Sequence, residues 1–165
     1  MRQKKKDRTF KQERNRIFKD NRVDTYRRSK KLKNPVICTN CGAFYSDGRW
    51  SWDVPFKFHI SKILCPACQR IKDHYPAGYI EVEGEFLKNH KDELLNLIHN
   101  QEAQEMEEHP LELIIEIKEE QGKLVISTTG MHLPGRIGNA LKNSYEGKLD
   151  ISYEAESIAR AHWMR

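Results

Sequence analysis

Between Tyr79 and Trp163 the apolar positions recur with two different periods, and the switches between them mark out elements. Tyr79-Ile80-Glu81-Val82-Glu83 alternates apolar and acidic, which predicts a short strand with one wet face. After Gly84 the spacing changes: Phe86, Leu87, His90, Leu94, Leu97 and Ile98 recur every third or fourth residue. That period predicts a helix from about Glu85, running on through the acidic segment Gln101 to Glu108 and stopping at Pro110. His90 falls on or near its apolar face, where a packed or surface histidine is the plain reading. Leu111 to Lys118 and Lys123 to Thr129 flank Glu119-Glu120-Gln121-Gly122 and predict a hairpin. Leu133, Ile137, Ala140, Leu141 and Ser144 share one side of a second helix over about His132 to Tyr145. Pro134 is tolerable only in its first turn, and Gly147 is a natural stop. Lys148 to Glu154 predicts a further strand, and Ile158 to Met164 an edge strand or last extended segment. The class is therefore α+β. The order β-α-β-β-α-β is that of a ferredoxin-like sandwich of two helices on one antiparallel sheet. Without its first strand, a KH-like α-β-β-α-β layer remains.

Ahead of this module the periodicity is shorter and the turn residues denser. Asn34-Pro35 pushes the chain into extended geometry, and Val36 and Ile37 lead on as a strand. Ala43-Phe44-Tyr45 and Arg49-Trp50-Ser51-Trp52 flank Ser46-Asp47-Gly48, and Asp-Gly between strand-like runs is a hairpin signal. Tyr45, Trp50 and Trp52 are more aromatic surface than a small module buries, so they pack on a neighbouring domain or offer a platform for stacking bases; core packing is the preferred reading.

This segment also holds all four cysteines, as Cys38/Cys41 and Cys65/Cys68. A Cys-x-x-Cys turn aims two thiolates at one centre, and two such turns supply a tetrahedral Zn²⁺ with four sulfurs. The 23 intervening residues leave room for the hairpin of a zinc ribbon. Gly42 suits a knuckle turn that needs positive φ, and Pro66 lies inside the second pair. Disulfides would need an oxidising compartment, and Met1-Arg2-Gln3-Lys4-Lys5-Lys6 carries no signal-peptide apolar run. A redox dithiol usually uses one such pair in a βαβ setting, whereas here two pairs sit in a β/turn context. Four protein ligands saturate the ion, so one structural Zn²⁺ is expected, and His59 and His74 nearby are not needed as ligands.

Charge divides the chain more sharply than its net +5 suggests: residues 1–33 hold 15 Lys/Arg against 4 Asp/Glu, a balance of +11, leaving −6 on the rest. With few apolar residues, this arm cannot bury a core, and it is read as disordered or folding on binding. Lys4, Lys5, Lys6, Arg8, Arg14, Arg16, Arg22, Arg27 and Arg28 are candidate phosphate contacts, with affinity gained by counterion release. The domains are then 1–33, a basic arm; 34–76, a zinc ribbon; and 77–165, an α/β domain. No apolar run spans a membrane, and a cytoplasmic location is expected.

Motifs for a phosphate-binding loop, a nucleophile elbow or a zinc protease are absent, and the many carboxylates between Glu81 and Glu120 read as solvated faces, so no enzyme and no small-molecule substrate is expected. The densest polar patch of the second half is Ser127-Thr128-Thr129-Gly130-Met131-His132-Leu133-Pro134-Gly135-Arg136-Ile137-Gly138. It either offers a helix N-terminus to RNA phosphate through His132 and Arg136, or is helix capping by Thr128 or Thr129 with close packing at Gly138. Trp50 joins His132 and Arg136 as a third candidate contact outside the arm.

The paired Cys-x-x-Cys, Cys65-Pro66-Ala67-Cys68-Gln69-Arg70-Ile71 followed by Tyr75-Pro76-Ala77-Gly78, His109-Pro110-Leu111-Glu112, and the run from Thr128 to Gly138 together resemble a family of small, largely uncharacterised bacterial zinc-ribbon proteins. The similarity covers most of residues 35–165. The layout of cysteine knuckles ahead of an α/β module is also similar to ribosomal large-subunit export adaptors, although this chain has fewer cysteine sites. That likeness implies a ribosomal setting. The expected function is zinc-dependent RNA binding at the ribosome or ribosomal RNA, in translation, assembly or ribosome protection. A DNA-binding regulator and a zinc-stapled protein-interaction module are the alternatives.

Overall fold

The computed structural model describes residues 26, 32, 35–54, 59–154 and 158–165. Four short strands, β1 (Val36–Cys38), β2 (Phe44–Ser46), β3 (Arg49–Ser51) and β4 (Ser61–Ile63), form a sheet in the order β3-β2-β1-β4. β1 and β4 run parallel, while β1–β2 and β2–β3 are antiparallel. Asp47 and Gly48 both take positive φ, 53° and 89°, as a two-residue hairpin turn with the native strand twist requires. The Asp-Gly signal thus works as expected.

α1 (Pro66–Asp73) follows, and here the surroundings differ from the β/turn context expected of the second cysteine pair. The pair opens a helix because Pro66 is preset for the first turn and the Cys65 sulfur caps it by accepting the Cys68 N–H. α1 ends at His74, which adopts a left-handed φ of 49° and donates its N–H to the Arg70 and Ile71 carbonyls.

The second part of the chain comprises β5 (Gly78–Glu83), α2 (Glu85–Glu108), β6 (Ile114–Glu120), β7 (Lys123–Thr128), α3 (Leu133–Tyr145), β8 (Lys148–Glu154) and β9 (Ile158–Met164). The first six elements come in the expected order, but the sheet is β6-β7-β5-β9-β8 and is mixed, with β5 and β9 parallel. The last strand, expected as an edge strand or a last extended segment, is therefore interior, and β8 is the edge. Side-chain size explains this placement. β9 presents Ala159, Ala161 and Trp163 to the helices, all buried, and the two small residues let α3 lie close while the indole fills the core.

Both helices cover one face, where Leu94, Ile98, Ile137, Leu141, Ile80, Val82, Leu124 and Ile126 join Trp163 in one cluster. Each such side chain contributes about 1.5–3 kcal/mol on burial. α2 is kinked at His90, whose backbone leaves helical geometry at φ −129° and whose ring stacks on Phe86 at 4.1 Å. The other sheet face is polar: Glu83 receives Lys123 Nζ at 2.7 Å and meets His162 Nε2 at 2.6 Å. Among the described residues no helix is long and apolar enough to cross a membrane.

The two sheets are joined through the α2–β6 connection. Leu111 and Leu113 pack against the cysteine cluster, and the Trp52 indole N–H donates to the Met106 carbonyl on α2 at 2.7 Å.

Candidate metal centre and the adjoining cleft

Cys38 ends β1, and Cys41 sits in the turn after it, closed by hydrogen bonds from Cys38 N to Ala43 O and from Gly42 N to Cys38 O. Gly42 takes φ 79° there, the left-handed geometry its position predicted. Cys65 and Cys68 arrive at the start of α1. All four thiol sulfurs lie within 4.8 Å of one another, and three of the four residues are buried. Cys41 and Cys65 sulfurs are 3.7 Å apart. A tetrahedral ion with bonds of ~2.3 Å requires an edge of about 3.8 Å, whereas a disulfide needs ~2.05 Å. The spacing fits one metal ion, and all four cysteines are free thiols.

The surroundings favour a thiolate at Cys38. Cys38 Sγ accepts N–H groups from Asn40 at 3.4 Å and Cys65 at 3.3 Å, and Asn40 Nδ2 reaches Cys68 Sγ at 3.3 Å. Burial pushes the Cys38 thiol up, but its N–H donors together outweigh that and hold it at about 6. Burial raises Cys41 to about 11, and raises Cys65 as well. Without a cation the buried sulfurs resist carrying charge together; a bound dication reverses that balance. Four protein donors leave no coordination position for water or substrate, so the arrangement can hold a fold together. Among the described residues this is the one group of three or more His, Cys, Asp or Glu side chains placed to share an ion, and the exposed His59 and His74 stand outside it.

Beside the metal centre lies a cleft of about 520 Å³ between the β2–β3 hairpin and the end of α2 with the start of α3. Trp50 lines it together with His132 and Arg136, which are far from it in sequence. Trp50 also packs on the cysteine cluster, with its ring tilted against Tyr45 at 5.4 Å. The cleft is of mixed charge, since Glu105, Glu108 and Glu112 share its walls with Arg49 and Arg136. Glu105 lies 3.3 Å from Arg136 Nε and 3.7 Å from His109 Nε2.

The acidic wall was missed in sequence because these glutamates read as solvated helix and strand faces. The run His109-Pro110-Leu111-Glu112 carried the available signal: Pro110 ends α2 and turns Glu112 back into the protein. Glu112 is buried and accepts the Leu133 N–H at 3.0 Å, capping α3 from another segment. The helix N-terminus that seemed free for phosphate thus already holds a carboxylate. Thr128 and Thr129 do not cap α3. Thr128 Oγ1 donates to the Gly130 carbonyl, and Thr129 Oγ1 donates to Leu111 O and accepts from Leu113 N. Gly135 and Gly138 lie inside α3, and a Cβ at Gly138 would come within 2.7 Å of Leu149 Cδ1, the close packing anticipated there.

The arm cations Lys4, Lys5, Lys6, Arg8, Arg14, Arg16, Arg22, Arg27 and Arg28 lie outside the described residues. Tyr26 is described and reaches α1: its hydroxyl donates to Asp73 at 2.9 Å, and the Arg70 guanidinium lies 4.4 Å over its ring. Its ring centroid is 5.6 Å from that of Tyr75.

Fold and site together define an α+β protein carrying a closed four-cysteine group suited to one metal ion. No family model matches the chain, and neither a curated protein nor a solved structure matches it.

Proposed function

We propose that this is a zinc-stapled RNA-binding protein acting at the ribosome or on ribosomal RNA. One observation carries the reading: a balance of +11 is confined to residues 1–33, on a body of −6. Tyr26 ties that segment to α1, the helix that begins with two of the four cysteines. Zinc is favoured by the all-sulfur tetrahedral donor set, which suits a soft, redox-silent dication. Bound there, it would fix the hairpin and α1 as one unit, so the arm leaves from a rigid base. The arm supplies sequence-independent affinity through phosphate contacts, with a log–log salt slope of roughly −0.7 per phosphate neutralised on single strands.

The test is co-sedimentation with ribosomal particles, compared between the full chain and a chain lacking residues 1–33. The full chain is expected to travel with particles and the shortened chain to stay at the top. An unchanged gradient position on arm removal at moderate salt overturns the reading, and preference for duplex DNA over ribosomal RNA moves it to a DNA-binding regulator. The acidic wall of the cleft favours a second reading, a zinc-stapled protein-interaction module. A stoichiometric protein partner retained after nuclease treatment would support it.

A further inference from the structure

We infer that the β8 edge of the five-stranded sheet pairs with β8 of a second copy of this chain, giving a two-fold dimer with one continuous sheet. The two edges of the sheet are built differently. β6 carries Glu116, Lys118, Glu119 and Glu120, has a register shift between Ile114 and Glu116, and gives the Ile114 N–H to Glu102 on α2. Charge, a bulge and side-chain cover are the usual protections of an edge strand.

β8 also carries charge, as Lys148, Asp150 and Glu154, but among the described residues it has neither the shift nor a side-chain bond to its backbone. Lys148–Glu154 is a regular seven-residue strand whose pairing with β9 runs without a shift, and its other edge meets no strand among those described. Leu149, Ile151 and Tyr153 lie opposite Trp163, Ala161 and Ala159, so all three face the helix layer. α3 covers them less and less along the strand: Leu149 packs at Gly138 and the Ile151 Cδ1 lies near Gly135, yet Ile151 is 39% exposed and Tyr153 61%. An apolar row thus continues past the last helix onto an open edge.

The sequence of the strand says what fits it. In an antiparallel pairing of Lys-Leu-Asp-Ile-Ser-Tyr-Glu with itself, centred on Ile151, Lys148 faces Glu154 of the second copy at both ends. Leu149 faces Tyr153, Asp150 faces Ser152, and Ile151 faces its own counterpart. Every apolar residue then meets an apolar one on the helix side, and opposite charges meet on the other side. Sliding the register by two residues one way sets Asp150 against Asp150, and the other way sets Asp150 against Glu154. A slide by one puts apolar residues on the wrong face. Among the registers that pair five or more residues of each strand one remains, and it is isologous, as a closed dimer requires. The existing partners of the end residues, Asp150 for Lys148 and Arg160 for Glu154, are exposed, so the new pairs replace weak ones.

The experiment is sedimentation equilibrium on nuclease-treated full-length chain up to about 100 µM. A mass twice 19.5 kDa is expected. Ile151→Lys should give a monomer with an unchanged far-ultraviolet circular dichroism spectrum. Lys148→Glu and Glu154→Lys should each weaken the dimer by about tenfold or more, and the two together should restore it. A chain that stays monomeric, a dimer that survives Ile151→Lys, or a double variant no tighter than the singles overturns the inference; the first of these is also the outcome if another segment of the same chain lies on β8.

Discussion

Glu112 accepts the backbone N–H of Leu133 at 3.0 Å, and its carboxylate lies so close to Gly130 that a Cβ there would come within 2.1 Å. Burial raises the Glu112 pKa, and the bond from Leu133 only partly offsets it. A carboxyl with a raised folded-state pKa contributes stability that is full below the unfolded value of ~4.3 and is lost as pH rises through the folded value. Glu112→Gln keeps an oxygen acceptor for Leu133 and removes that cost. Its thermal midpoint should therefore equal or exceed the parent's at pH 7, with the difference closing near pH 4. Glu112→Ala loses the cap and should cost about 1 kcal/mol at either pH. A Gln variant less stable than the parent at pH 7 would mean the site holds the charged form.

How much of this was legible in sequence depends on distance along the chain. The periods of Leu94/Ile98 and Ile137/Leu141 gave both helices, and Asp47-Gly48 gave its hairpin, because local spacing and turn chemistry decide those features. The four cysteines were equally plain, since their spacing alone specifies a shared centre. The place of β9 was not, because Ala159 and Ala161 are weakly apolar and reveal an interior strand only once α3 is seen to lie against them. Glu112 capping α3 spans 21 residues, and nothing local distinguishes it from the solvated glutamates around it.

Metal removal should separate the two sheets' stabilities. Structural zinc in small modules binds with about 10–16 kcal/mol, which exceeds what four three-residue strands could supply. A reduced preparation should carry about one zinc per chain, and Cys65→Ser should carry less than a tenth of that. A strong chelator should change Trp50 fluorescence, because that indole packs on the cysteine cluster, while the helical circular dichroism of α2 and α3 persists. Retention of one equivalent of metal by Cys65→Ser would contradict the four-sulfur site.

Trp52 links the hairpin unit to α2 by a single bond to the Met106 carbonyl, at a partly exposed position. Trp52→Phe keeps most of the apolar contact and deletes the donor, so a loss of about 1 kcal/mol is expected. Amide exchange should quicken near Met106 without change in the β5–β9 ladder. An effect spread evenly over both sheets would show that this contact is not local.

Arg136 is poorly placed to supply phosphate affinity even if the chain binds RNA through its arm. Its guanidinium is exposed but lies 3.3 Å from Glu105, whose side chain is only 10% exposed, so an incoming phosphate would confront a carboxylate held in place. Arg136→Ala should then alter RNA affinity by less than about twofold and leave the salt slope unchanged, since an offset cation releases no further counterion. Removing residues 1–33 should instead flatten that slope by several units, in line with the +11 it withdraws. Glu105→Gln provides the converse arm of the measurement. If RNA reaches the cleft, freeing Arg136 from its partner should tighten binding and steepen the slope by about one contact; if RNA stays on the arm, the variant should bind as the parent does. A tenfold loss on Arg136→Ala would place the nucleic acid in the cleft, against Trp50 and His132.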